Sequence, residues 1–206
     1  NNRYLAMINQ AITITEQDNK IAKENWLTLQ RAAYYELEQP EQVTKVIEQL
    51  VHHYPKAQYW LQLSAMYGEI GQEEKQMAVM EAAYQAGHVT KSADILTLAQ
   101  LYLYHGAPYK SADVLEHSMT EGALVADEKN LAILARAYLK AKETAKAIVV
   151  LKKVSELSNS ARHTVLLAQT YLNDEQWQLA ITTAGDALAR MGDASESEVK
   201  VAKDIA

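Results

Sequence analysis

The chain contains no cysteine and no phenylalanine, and only seven glycines and three prolines. Without cysteine there is no disulfide framework, no thiolate nucleophile and no cysteine-based zinc site. That absence fits the bacterial periplasm and the cytoplasm equally. An excess of positive charge is also missing: the formal net charge is −6. A mildly acidic surface repels phosphate backbones and anionic membranes, so nucleic acid is not an expected partner. The longest nearly apolar run, ILTLAQLYLY from Ile95 to Tyr104, includes Thr and Gln. It falls well short of the roughly 20 residues of a membrane span. There is no glycine-rich phosphate loop, no Gly-x-Ser-x-Gly elbow and no HExxH pair.

What is present is the vocabulary of helices. Ala, Leu, Glu, Gln and Lys are plentiful, and 49% of the 206 residues are hydrophobic, enough for one globular domain or one solenoid segment. The segment LSAMYGEIG from Leu63 has counterparts in LAQLYLYHG from Leu98, LARAYLKAK from Leu134 and LAQTYLNDE from Leu167. Each reads Leu, small, any, any, Tyr. Tyr34, Tyr67, Tyr102, Tyr138 and Tyr171 are separated by 33, 35, 36 and 33 residues, and each is followed by a second segment of helical periodicity.

A period of about 34 with this signature resembles the tetratricopeptide repeat, a pair of antiparallel helices. The match runs through Trp60, Leu63, Ser64, Tyr67, Met80 and Ala83, and through the corresponding positions of the later copies. Gln30, Arg31 and Gln76 depart from the pattern. The resemblance implies an all-α, α-α superhelix: a tetratricopeptide-like solenoid of antiparallel helix hairpins. We expect one solenoid segment over 1–206, with five full copies near 20–55, 57–88, 92–124, 128–158 and 161–192. Small residues at Ser64, Ala99, Ala135 and Ala168 would let paired helices approach closely. Residues 4–14 read as a second helix lacking its first. Residues 195–206 open on a Ser-x-x-Glu capping box and read as a first helix lacking its second. The segment therefore reads as a piece of a longer chain, and its open apolar ends favour dimerisation. Turns are expected at Gln39-Pro40, Tyr54-Pro55, Gly71, Gly87, Gly106, Gly122, Asn173-Asp174 and Gly192.

Candidate reactive groups reduce to structural ones. His52 and His53 are adjacent and point about 100° apart on a helix, which does not suit one metal ion. Glu73 and Glu74 follow Gly71, where helix-start carboxylates complement the macrodipole. Met66, Met77 and Met80 fit core gap-filling, with an adaptable binding surface as the alternative. No catalytic residue, metal or cofactor is expected, and the chain reads as no enzyme. Tyr35, Tyr104 and Tyr109 are the tyrosines outside the repeat grid.

In this family partner contacts fall on the first helices, one position after the core residues. Carried over, that gives Tyr35 and Glu36; Leu61 and Glu69; Leu96, Gln100, Leu103 and Tyr104; Arg136, Leu139 and Lys140; and Val165, Gln169 and Leu172. Their apolar members form a stripe suited to a peptide or an amphipathic helix. Burial of the stripe by the coil itself, or by further repeats, is the alternative. Charge divides along it, with Glu36 and Glu69 early and Lys129, Arg136, Lys140 and Arg162 late. This division would orient a charged peptide, or else marks a solvated face. The lysines of the family's carboxylate clamp are replaced by Thr28, Leu61 and Leu96.

Over Trp60 to Glu116 the sequence more narrowly resembles a bacterial tetratricopeptide protein that accompanies the TonB, ExbB and ExbD energy-transduction proteins of marine gamma-proteobacteria. That resemblance implies a periplasmic accessory protein in siderophore or haem uptake, with protein or peptide partners from the TonB system. A general adaptor or a structural spacer, in another envelope complex or in the cytoplasm, is the alternative.

Overall fold

The computed structural model of the chain describes residues 2–158, 160–190 and 195–206. Among the described residues there are twelve α-helices and no strand. They run α1 (Asn2–Gln17), α2 (Glu24–Glu36), α3 (Pro40–His53), α4 (Ala57–Glu69), α5 (Glu73–Gln85), α6 (Ser92–Tyr104), α7 (Pro108–Thr120), α8 (Glu128–Lys140), α9 (Thr144–Leu157), α10 (Ala161–Asn173), α11 (Trp177–Ala189) and α12 (Glu196–Ile205). The fold is the expected all-α solenoid of helix hairpins, with pairs α2/α3, α4/α5, α6/α7, α8/α9 and α10/α11. The chain divides into two compact units, Asn1–Thr90 and Lys91–Ala206.

The repeat positions are the core positions. Tyr67, Tyr102, Tyr138 and Tyr171 are buried, as are Leu63, Leu98, Leu134 and Leu167. Opposite them, Ile47, Met80, Leu115, Leu151 and Ala184 are buried on the second helices. Ala99, Ala135 and Ala168 have no exposed surface, consistent with close helix approach where side chains are short. Serine serves the same purpose from either side of a hairpin. Ser64 Oγ donates to the Gln76 carbonyl at 2.9 Å, and Ser111 Oγ donates to the Ala99 carbonyl at 2.8 Å. Each hydroxyl thus bonds the backbone twelve residues away while taking little more room than alanine.

The departures from the pattern have local partners. Gln30, at a leucine position, donates through Nε2 to Asn9 Oδ1 of α1 at 2.8 Å. Asn9 Nδ2 in turn donates to the Tyr34 hydroxyl at 3.4 Å. Arg31, at the small position, donates to Gln62 Oε1 of α4. Gln76 lies where a Cβ on Gly68 would stand, with the nearest side-chain atom at 2.6 Å. Glycine at 68 therefore makes the space that a large residue at 76 requires.

In the first unit α1 packs Leu5, Ile8 and Ile12 inward, and the last two join a core with Leu27, Ile47, Leu50, Tyr59, Leu63 and Met66. The starts of α2 and α4 are tied together: Lys56 Nζ donates to Glu24 at 2.6 Å, and the Tyr59 hydroxyl donates to the same carboxylate at 2.6 Å. The hydrogen bond from Lys56, then that from Tyr59, hold the Glu24 carboxyl below the usual carboxylate range. In the second unit Ser155 and Thr164 hydroxyls bond at 2.7 Å between α9 and α10. This interaction lets Thr164 occupy a slot that other copies fill with a large residue.

Turns fall where glycine and proline predicted them, with additions. Gly71, Gly87, Gly106 and Gly122 adopt positive φ, but so do Asn19, Glu38, Lys142 and Glu175. Gly192 lies outside the described residues. Glu73 and Glu74 begin α5, and Ser195 with Glu198 forms the capping box of α12.

Candidate interaction clefts

Tyr35 and Tyr104 are 68% and 69% exposed, although their chain neighbours Tyr34 and Leu103 turn toward the protein. Helices α2 and α6 therefore each carry an aromatic on a face that their own hairpins leave exposed. Two pairs of adjoining clefts open on first-helix faces, one pair in each unit.

In the first unit a cleft of about 420 Å³ lies between α2 and α4. Its floor is made by Val43, Ile47 and Met66, and its walls by Ala32, Ala65 and Tyr35. It continues into a second cleft of about 540 Å³ that shares Tyr35, Glu36, Val43 and Met66 and reaches Glu38 and Glu69. The predicted contacts Tyr35, Glu36 and Glu69 thus meet around one trough. Arg31, a departure from the repeat pattern, and Met66, expected in the core, also belong to it. Met66 is only 8% exposed, yet its side chain forms both core and cleft floor.

In the second unit the face of α10, flanked by α8 and α12, holds clefts of about 580 and 550 Å³. The predicted contacts Arg136, Leu139, Val165 and Gln169 line the first, and Leu139, Gln169 and Leu172 line the second. Arg162 and His163 stand on the rim of the first cleft with Glu198 of α12. Arg162 Nε lies 3.9 Å from Glu198 Oε1. His163 Nε2 lies 3.5 Å from Glu128 Oε1, which also accepts a hydrogen bond from Ser158 at 2.7 Å. Hydrogen bonds from Ser195, backbone first and then side chain, hold the Glu198 carboxyl below its ordinary value. Glu198 is thereby kept anionic beside Arg162.

Val165 differs from the expectation for an open groove contact. It is 4% exposed and packs in an apolar cluster with Ala187 of α11 and Ala202 of α12. The arrival of α12 covers its side chain, which only contributes to the cleft floor. Leu61, Leu96, Leu103 and Leu139 are half-buried, and Leu172 is exposed. Leu61, Leu96, Gln100, Leu103, Tyr104 and Lys140 lie outside these clefts.

Other polar groups do not converge. Among the described residues no set of three or more His, Asp or Glu side chains could hold a metal ion. His52 and His53 are exposed and pack edge to face at 4.6 Å between ring centroids. No described helix is long and apolar enough to cross a membrane.

No protein-family profile matches the sequence, and no curated protein matches it. Solved structures do. YrrB, described as a TPR protein with an unusual peptide-binding site, superposes with a TM-score of 0.65 at 12% identity, covering 96% of this chain and 97% of that one. The C-terminal part of a TPR repeat-containing protein from Cytophaga hutchinsonii gives 0.59 at 18% identity, covering 98% and 81%. MamA from Desulfovibrio magneticus RS-1, residues 41 to the end, gives 0.56 at 14% identity, covering 82% and 97%. At such identities the likeness concerns the fold, and the fold of this chain is that of the tetratricopeptide-repeat proteins.

Proposed function

We propose that the chain is a non-catalytic scaffold that binds segments of partner proteins on its first-helix faces. One observation carries the reading: in each unit, residues one position after the repeat's core positions surround an apolar-floored trough whose rim is charged. Such troughs suit a peptide that inserts apolar side chains and aligns its charges with the rim. Repeat solenoids commonly use their extended faces in this way, and YrrB is described as having a peptide-binding site.

Selection of a displayed library of random dodecapeptides on the full chain tests the reading. Enriched peptides should bind the wild-type chain and lose binding on Arg136→Glu, Leu139→Glu or substitution of the α2/α4 trough, with helical circular dichroism unchanged. Absence of any enriched peptide, or indifference to all of these substitutions, would overturn it. The narrower role beside a TonB system in the periplasm rests on the resemblance over Trp60 to Glu116. Its test is direct binding to purified periplasmic domains of TonB-system proteins, and no binding to any of them would leave the general adaptor.

A further inference from the structure

The residue after the small position of each first helix differs between the units. It is Ala32 on α2 and Ala65 on α4, but Gln100, Arg136 and Gln169 on α6, α8 and α10. Where both are alanine, this position sends no long side chain into the space between the two first helices, which Arg31 and Gln62 bridge at one end. Val43 and Ile47, each 2% exposed, and Met66 then become the floor of the α2/α4 cleft. The floor has the character of a core, and a single large apolar side chain is what would fill it.

The rim of the same trough is not neutral. Glu36, Glu38 and Glu69 lie around its far end, and Tyr35 stands beside them, exposed. Among the described residues the one cation lining the trough is Arg31, which sits at the other end, where Gln62 accepts its hydrogen bond. Glu38 and Glu69, near one end of an apolar slot, produce a local negative potential. A partner that placed a carboxylate there would meet repulsion, whereas an ammonium or guanidinium would gain charge complementarity without being fully desolvated.

We propose that the α2/α4 trough takes a peptide segment in which a large aliphatic or aromatic residue is followed or preceded, within two or three positions, by lysine or arginine. The apolar side chain enters over Val43, Ile47 and Met66, flanked by the Tyr35 ring. The basic side chain lies toward Glu38 and Glu69. This rests on the scaffold reading and narrows it to a partner chemistry opposite in sign to that expected at the Arg136 and Arg162 rim.

The test uses the dodecapeptides selected on the full chain, sorted by whether Ala65→Phe abolishes their binding. Ala65 is exposed, so the added ring fills the trough without entering the core. Peptides sensitive to Ala65→Phe should share an apolar residue with a nearby Lys or Arg. Synthetic copies with that base changed to Glu should bind about tenfold or more weakly. Glu69→Lys should weaken the basic peptides and narrow or reverse the preference. If the sensitive peptides carry acidic residues, if the base-to-acid change is without effect, or if selected peptides respond to Arg136→Glu and never to Ala65→Phe, the inference is wrong while the scaffold reading stands. If no peptide is selected at all, both fail.

Discussion

The hairpin turns offer a quantitative test, because the same strained position recurs and is filled by different residues. Four residues after each repeat tyrosine the backbone turns left-handed: Glu38 at φ 54°, Gly71 at 73°, Gly106 at 72°, Lys142 at 62° and Glu175 at 58°. In every case the next amide donates to the tyrosine carbonyl. The five distances are 3.1 Å for Gln39 to Tyr34, 2.8 Å for Gln72 to Tyr67, 2.8 Å for Ala107 to Tyr102, 2.9 Å for Glu143 to Tyr138 and 2.9 Å for Gln176 to Tyr171. The turn is therefore imposed by the hairpin, whatever residue occupies it.

An L-residue in this conformation costs about 1–2 kcal/mol relative to glycine. Glycine returns roughly 0.5–1 kcal/mol of that through its greater freedom in the unfolded chain. We expect Glu38→Gly, Lys142→Gly and Glu175→Gly each to stabilise by about 0.5–1 kcal/mol, and the triple variant by about 2 kcal/mol, since well-separated sites add. Each single change should raise the thermal midpoint by about 1–4 °C. The controls run the other way. A Cβ at Gly71 or Gly106 would meet nothing within 4 Å, so Gly71→Ala and Gly106→Ala should destabilise by about 1 kcal/mol from the backbone alone. Circular dichroism melts and urea titrations read all five. Destabilisation by the three glycine substitutions, or stabilisation by the two alanines, would refute the reasoning.

Burial first, then the hydrogen bond to Glu48, push the Tyr67 phenol up to about 12 from its ordinary 10.0. The folded state keeps this proton longer than the unfolded state, so the associated stability is complete below pH 10 and is lost as pH rises toward 12. Relative to wild type, Tyr67→Phe should show a shallower loss of urea resistance over that interval. A parallel loss in both proteins would count against the assignment. Val165→Glu should destabilise by about 3 kcal/mol or more because it buries a charge, while Leu172→Glu should stay within about 0.5 kcal/mol; denaturant midpoints separate the two. Gly68→Ala combined with Gln76→Ala should stabilise by about 1 kcal/mol through helix propensity. Gly68→Ala alone should gain less, since its Cβ displaces the Gln76 side chain, and an equal or larger gain from the single change would contradict the contact.

The hairpins were legible in the sequence because they depend on local periodicity. The tyrosine grid and the small residues report which face of each helix meets its partner, and those residues are buried, Tyr34 partly so. Even the left-handed turns carry a signal, four residues beyond each tyrosine, which Glu38, Lys142 and Glu175 conceal by not being glycine. The candidate site was legible only in part. Spacing identifies a first-helix face, and it placed Tyr35, Glu36, Glu69, Arg136, Leu139, Gln169 and Leu172 around clefts. It does not report how closely two first helices stand, so it neither separated Leu61 or Leu96 from those clefts nor foresaw that α12 would cover Val165. That distance is a property of packing between hairpins, and no single repeat contains it.

The position after the small residue shows how such a fold can vary its binding surface without altering its core. Its backbone is held in every copy by the repeat tyrosine, a buried apolar residue at the same second-helix position and the same turn hydrogen bond, so a change there costs the hairpin little. With Ala32 and Ala65 the side chain ends at Cβ, and the floor beneath, Val43, Ile47 and Met66, is reached from outside. With Arg136 and Gln169 the same location carries long polar groups that line the cleft themselves. One exposed slot per repeat thus decides whether a partner meets apolar surface or hydrogen-bonding groups. Exchanging the occupants, Ala65→Arg on α4 and Arg136→Ala on α8, should therefore exchange what each trough selects from a peptide library while leaving the melting curves close to wild type.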